Sequence, residues 1–192
     1  MARVAINGLG RIGRAVLKNV LDTPGLDLAA VNDLVFAENL AYLLRFDTVY
    51  GRYEKKVDSG IEELTVGDKQ IPVFHEKDPA SLPWDKLNID IVLECTGVFT
   101  REMDLKKHLE AGAGKVVLSA PAKGGDVPTI VYGVNTDKAD GKDIISCASC
   151  TTNCIAPVVE IVGRQIGIEK ATMTTIHAYT VSQNIVDGPH KK

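Results

Sequence analysis

Ser149-Cys150-Thr151-Thr152-Asn153-Cys154 places a thiol at the mouth of a predicted helix, and Thr174-Thr175-Ile176-His177-Ala178 supplies an imidazole 27 positions after that thiol. A thiolate at a helix N-terminus is favoured by the dipole and the exposed N–H groups, and a neighbouring imidazolium lowers its pKa further. The same N–H groups and His177 can stabilise the oxyanion that forms when a thiolate attacks a carbonyl. This is the equipment for thioester chemistry on an aldehyde. Ser149, Thr151 and Thr180 add hydroxyls, which together with helix N–H groups suit a phosphate; from chemistry alone they could equally cap the helix. The other thiols are assigned elsewhere: Cys95 and Cys147 to strand cores, and Cys154 to a buried, inert position one turn into the helix beside Ile155 and Val158. His75, His108 and His190 have no comparable partner and are expected at the surface.

A second constellation opens the chain. Gly8-Leu9-Gly10-Arg11-Ile12-Gly13 directly follows a predicted strand and opens a predicted helix, and Asp33 stands 20 positions after the last glycine, at the end of the second strand. That context turns a common glycine pattern into a dinucleotide-binding fingerprint. Gly8 allows the tight turn, Gly10 lets backbone approach a pyrophosphate, and Gly13 permits close helix–strand packing. Asp33 should accept hydrogen bonds from the adenosine ribose and repel a 2′-phosphate, which favours NAD over NADP. Thr96-Gly97 and Ser119 fall at strand ends, where open parallel sheets bind ligands. A hydride acceptor and a covalent thiol on one polypeptide point to an aldehyde-oxidising dehydrogenase.

Alternating apolar runs and helical patterns must position these groups. Strands are expected over 3–7, 27–31, 89–94, 115–119, 129–134, 143–147 and 171–177, and helices over 11–21, 36–44, 101–111 and 151–165. Residues 62–66 and 70–74 read as a hairpin closed by Gly67-Asp68-Lys69, an insertion outside the parallel core. The fold class is α/β, a Rossmann-type, doubly wound, mostly parallel sheet over 1–149. Residues 150–192 supply one helix, one strand and a loop, too little for a two-layer core, and are expected to be the truncated start of a second, α+β catalytic domain.

Composition closes off other classes. The 192 residues are 45% hydrophobic and carry a net charge of −3. Nothing there attracts nucleic acid or an anionic membrane. No run approaches the ~18 apolar residues of a membrane span, and Met1-Ala2-Arg3 leads straight into a strand, so no secretory leader is expected. Three of the four cysteines crowd into 147–154 with no second Cys/His pair at finger-like distance. No metal and no disulfide are expected, and the reducing cytoplasm is the expected compartment.

The segments Val4-Ala5-Ile6-Asn7-Gly8-Leu9-Gly10-Arg11-Ile12-Gly13-Arg14, Glu94-Cys95-Thr96-Gly97-Val98-Phe99, Ala148-Ser149-Cys150-Thr151-Thr152-Asn153-Cys154 and Thr175-Ile176-His177-Ala178-Tyr179-Thr180 carry a resemblance. Over its whole length the chain resembles the phosphorylating glyceraldehyde-3-phosphate dehydrogenase family. The resemblance implies NAD contacts at Arg11, Ile12, Asp33 and Ser119, with Lys77 lining the cofactor pocket in place of the arginine often found there. It implies Cys150 as nucleophile, His177 as base and thiol activator, and phosphate-binding roles for Ser149, Thr151 and Thr180. Asp187-Gly188-Pro189 resembles the loop of NAD-using members. The implied substrates are glyceraldehyde 3-phosphate and inorganic phosphate, and the implied assembly at full length is a homotetramer. An erythrose-4-phosphate dehydrogenase shares the cysteine motif, and Ala178-Tyr179-Thr180 favours the glyceraldehyde enzyme. For residues 1–192 alone, a non-catalytic NAD-binding module is the alternative from another class.

Overall fold

Strand β1 (Ala2–Asn7) sends Val4 and Ile6 to one face and Ala5 to the other, all three buried, because layers cover both sides of the sheet. The computed structural model, which describes residues 1–179, builds outward from this strand. Helix α1 (Arg11–Asp22) buries Gly13, Arg14, Leu17 and Val20, the three- and four-residue spacing of one helical face. It returns the chain to β2 (Leu26–Asn32), which lies parallel to β1 with Asn7 opposite Asn32. Helix α2 (Ala37–Arg45) packs Leu40, Ala41 and Leu44 onto the same side, and the small ladder of β3 (Phe46–Asp47) and β4 (Gly51–Arg52) follows. Then come β5 (Val57–Ser59), β6 (Glu63–Val66) and β7 (Lys69–Phe74). The second half runs β8 (Ile91–Glu94), α3 (Glu102–Glu110), β9 (Lys115–Leu118), β10 (Ile144–Ser146) and α4 (Cys150–Gln165).

The eight-stranded sheet has the order β10-β9-β8-β1-β2-β7-β6-β5. From β1 the chain winds one way through β2 and β7, then crosses back and winds the other way through β8, β9 and β10. The reversal falls between β1 and β8, which run parallel with Asn7 opposite Glu94. This is the doubly wound, mostly parallel α/β sheet expected, and its topological switch point is where such folds bind ligands. One face is covered by α1 and α2. The other is covered by Trp84, Leu82 and the end of α3, where Ala111 and Ala113 meet Ala5, Ala30 and Val92.

Three sequence expectations fail here. The hairpin forms, with Gly67 at φ +60 in its turn, but it is no insertion: Val31 and Asn32 of β2 pair in parallel with Val73 and Phe74, so β7 extends the main sheet. Residues 129–134 make only a single bridge, from Thr129 to Ser146, because Gly133 at φ +77 turns the chain away from the sheet edge. Residues 171–177 are not a strand: they carry no ladder to any described strand, and β-branched composition without a pairing partner does not hold an extended segment in a sheet.

Candidate active site

At the carboxyl ends of β1 and β8 lies a cleft of about 390 Å³, lined in part by Asn7, Gly8, Gly10, Asp33, Lys77 and Thr96. The three glycines of the fingerprint meet three different constraints. Gly8 sits at φ +90, and a Cβ there would lie 2.7 Å from the Thr96 backbone nitrogen. A Cβ on Gly13 would lie 1.9 Å from the Gly8 carbonyl oxygen, so only glycine lets α1 approach the turn. A Cβ on Gly10 would meet nothing within 4 Å; that backbone faces open space in the cleft. Gly10 caps α1 without a side-chain bond, and the first turn has no acidic residue. The positive end of the helix is therefore left for an external anion.

Asp33 stands at the end of β2 as expected. Its Oδ2 accepts from the Leu9 N–H at 2.7 Å and its Oδ1 from the Val35 N–H at 2.9 Å, which ties the glycine turn to the second strand. Arg11 is held beside the turn by Asp47 at 2.8 Å and lies over the Tyr50 ring. Burial pushes the Asp47 carboxyl up, but the Tyr50 and Val49 N–H groups and the Arg11 guanidinium outweigh it and hold it below the usual carboxylate range. Arg11, Ile12, Gly13, Gly97 and Ser119 do not themselves line the cleft. Asn32, Leu34, Glu76, Val98 and Phe99, together with Asn7, do line it and were not selected from the sequence. Asn7 and Asn32 carried a legible signal: each is a polar side chain that ends the apolar run of its strand, Val4-Ala5-Ile6 in β1 and Leu28-Ala29-Ala30-Val31 in β2. Open backbone at Gly10, an anion-ready helix end and a carboxylate across the turn together fit a dinucleotide.

The thiol lies at the start of α4. Ala148 adopts φ +62 while buried, an uncommon conformation for a residue with a Cβ, and it turns the chain sharply out of the sheet. Asn153 Nδ2 donates to the carbonyls of Cys147 (2.7 Å) and Ser149 (2.9 Å) and so holds this bend. Ser149 caps the helix by accepting from the Thr152 N–H at 3.0 Å, the capping role that the sequence left open for it. Cys150, the first helical residue, is exposed, with Sγ 3.2 Å from His177 Nε2. His177 Nδ1 donates to the Ala178 carbonyl at 2.6 Å, which leaves Nε2 to face the sulfur. The His177 hydrogen bond, with help from Thr151, holds the Cys150 thiol below its ordinary value. The Ala178 carbonyl, followed by Cys150, holds the imidazole above its ordinary value. Both directions favour a thiolate–imidazolium pair.

Cys150, Thr151, Cys154 and residues 173–178 surround a second cavity of about 380 Å³. Thr180, Asp187-Gly188-Pro189 and His190 lie outside the described residues. Two expectations are corrected. Cys154 is exposed, because α4 buries none of its residues. His108 is fully buried, not a surface residue, and His75 is half-buried with Nδ1 donating to the Asp33 carbonyl. Cys95 is buried as expected, and burial pushes its thiol up to about 12.

Comparison with known proteins bears on both sites. Residues 2–102 match the family model described as glyceraldehyde 3-phosphate dehydrogenase, NAD binding domain, and residues 149–192 match the C-terminal domain of the same family. A glyceraldehyde-3-phosphate dehydrogenase of Clostridium pasteurianum is 51% identical over 100% of this chain and 58% of its own length. That of Geobacillus stearothermophilus is 51% identical over 98% of this chain and 57% of its own. Glyceraldehyde-3-phosphate dehydrogenase 1 of Kluyveromyces lactis is 48% identical over 100% and 58%. The chain thus spans somewhat more than half the length of these relatives.

Proposed function

This chain belongs to the glyceraldehyde-3-phosphate dehydrogenase family, and from that premise we propose that it serves the NAD-dependent oxidation of glyceraldehyde 3-phosphate, with inorganic phosphate, to 1,3-bisphosphoglycerate in glycolysis. The observation that carries the reading is the Cys150 Sγ–His177 Nε2 contact of 3.2 Å at the N-terminus of α4. The relatives are named for glyceraldehyde 3-phosphate and not for erythrose 4-phosphate, which favours the former substrate.

Cys150, as thiolate, attacks the aldehyde carbon and forms a thiohemiacetal, with the α4 N–H groups and His177 facing the new oxyanion. NAD bound in the cleft supplies the hydride acceptor. The His177 imidazolium protonates that oxyanion, and the neutral imidazole it leaves takes the hydroxyl proton back as the C–H bond is lost, which leaves a thioester on Cys150. Inorganic phosphate attacks the thioester carbon, Cys150 leaves as thiolate, and the product is an acyl phosphate. Thr151 and Ser149 stand beside the thiol and Thr180 follows His177 in sequence; these three hydroxyls are assigned to the phosphate groups. Gly8, Gly10, Gly13, Asp33, Lys77 and Thr96 shape the dinucleotide cleft, and Arg11, Ile12, Gly97 and Ser119 border it. The domain boundary is placed at 149/150. The reading extends to a homotetramer working in the cytoplasm, a compartment that suits four free cysteines. Among the described residues no helix is long and apolar enough to cross a membrane.

The test uses a polypeptide of the relatives' length that carries this sequence. NADH should form only when glyceraldehyde 3-phosphate and phosphate are both present, and Cys150→Ser should abolish it. Turnover that survives in Cys150→Ser would remove the thiol from the mechanism.

A further inference from the structure

Beneath the cofactor cleft lies a buried polar network that the proposed mechanism does not use. Glu94, at the end of β8, is 0% exposed, and so is His108 on α3. Glu94 Oε2 accepts from Asn7 Nδ2 at 2.6 Å and from His108 Nε2 at 3.1 Å. Its Oε1 accepts from the Thr96 N–H at 2.8 Å and from the Thr96 hydroxyl. Asn7 in turn accepts from Asn32 Nδ2 at 2.7 Å, and Trp84 Nε1 donates to His108 Nδ1 at 3.0 Å.

Groups that cannot reverse their roles fix the orientations of Asn7, Asn32 and His108. The Glu76 N–H can only donate, and it donates to Asn32 Oδ1 at 2.8 Å, so the amide nitrogen of Asn32 faces Asn7. Asn7 must then turn Oδ1 to Asn32 and Nδ2 to Glu94. The indole N–H of Trp84 can only donate, so His108 Nδ1 is a lone pair and the proton sits on Nε2, directed at Glu94. The Thr96 N–H can only donate. Glu94 therefore faces N–H donors on both oxygens. Four hydrogen-bonding contacts, two of them to Thr96 alone, satisfy both oxygens of this buried side chain. A carboxamide has no orientation that satisfies them: its NH₂ would face either the Thr96 N–H or the Asn7 and His108 donors.

Asn7 and Thr96 both line the cleft, one at the end of β1 and the other just after β8. Thr96 also stands where a Cβ on Gly8 would touch it, 2.8 Å from its Cγ2, and it accepts from the Val98 N–H at 3.1 Å. We propose that Glu94 is a positioning residue for the cofactor: its buried carboxyl group, acting through Asn7 and Thr96, sets the spacing of the two strand ends between which the dinucleotide binds. This rests on the cofactor reading given above.

Calorimetric titration of the chain with NAD, alongside thermal melts, tests it. Glu94→Gln should raise the Kd for NAD at least tenfold. Leu105→Ala, a buried apolar change on the same helix as His108, should lower Tm and leave Kd unchanged. His108→Leu, remote from the cleft, should weaken NAD about threefold or more, and His108→Gln, which keeps a donor toward Glu94, should recover most of that loss. The His108 pair decides the matter if Glu94→Gln does not fold. A parent chain that binds no NAD overturns the cofactor reading and this assignment with it. A parent that binds, with Glu94→Gln or His108→Leu within twofold of it or Leu105→Ala equally weakened, overturns the assignment alone.

Discussion

Two side chains carry predictions that can be read one residue at a time. Cys150 is exposed, and His177 holds its thiol below the ordinary value, so it stays deprotonated to lower pH than a free cysteine. Its iodoacetamide rate should rise with pH through that lowered pKa and flatten below the range where ordinary thiols titrate. In His177→Asn the inflection should move up toward the ordinary range, about 8.5. Cys154, exposed but without an imidazole, should label second, and Cys95, buried with its thiol near 12, last. Mass-spectrometric mapping over a pH series gives the order; Cys154 labelling before Cys150 would reassign the nucleophile. Asp33 makes a different kind of claim. Its carboxylate is already bonded to the Leu9 and Val35 N–H groups, so it is oriented before any ligand arrives. NAD should bind more tightly than NADP, and Asp33→Ala should narrow that gap by at least tenfold in the ratio of their Kd values, because the repulsion of a 2′-phosphate disappears with the charge. A ratio unchanged by Asp33→Ala would place cofactor choice elsewhere.

The turn between β1 and α1 shows how two glycines of one motif answer to different forces. Gly13→Ala drives a methyl into the Gly8 carbonyl, 1.9 Å away, so α1 must move off the sheet. Overpacking of this kind costs about 1–3 kcal/mol, and Tm should fall accordingly. Gly10→Ala meets no protein atom within 4 Å and has a φ of −65, open to any residue, so Tm should stay within error while NAD binding weakens at least tenfold. Melts and NAD titrations of both variants check this; a fall in Tm for Gly10→Ala equal to that of Gly13→Ala would contradict the division of roles. This turn was legible because strand, glycines and helix are contiguous. What failed to read was non-local. The hairpin of β6 and β7 was visible, but its membership of the sheet depends on Val31 meeting Val73, a pairing that no local pattern encodes. Residues 171–177 have strand composition without a strand partner among the described residues. His108 could have been found: Leu105 lies three positions earlier on the face of α3 that packs inward, and both are fully buried. The reciprocal demands of Trp84 and Glu94 that make a histidine tolerable there appear only when three distant segments meet.

At the scale of the whole molecule the two sites rest on unequal foundations. The cleft is assembled from residues 7–99, on strands buried on both faces, with Val4, Ile6, Leu28 and Val92 all at 2% exposure or less. The thiol pair stands on α4, which buries none of its residues, and on a segment that forms no ladder with any described strand. Val158, Val159 and Ile161 of α4 are each about half exposed, an apolar stripe that water-soluble monomers rarely leave uncovered. The contact between Cys150 and His177 is thus made but little constrained, and misplacement by ~1 Å can cost about a hundredfold in rate. The polypeptide of residues 1–192 should therefore bind NAD, with a cooperative melt reported by Trp84, buried against one face of the sheet. It should reduce no measurable NAD with glyceraldehyde 3-phosphate and phosphate, and it should self-associate as concentration rises. Turnover, NAD titration and light scattering on the same preparation separate these outcomes. Turnover near that of a polypeptide of the relatives' length would show that α4 and the segment bearing His177 hold their geometry without further cover, and the unequal support inferred for the two sites would be wrong.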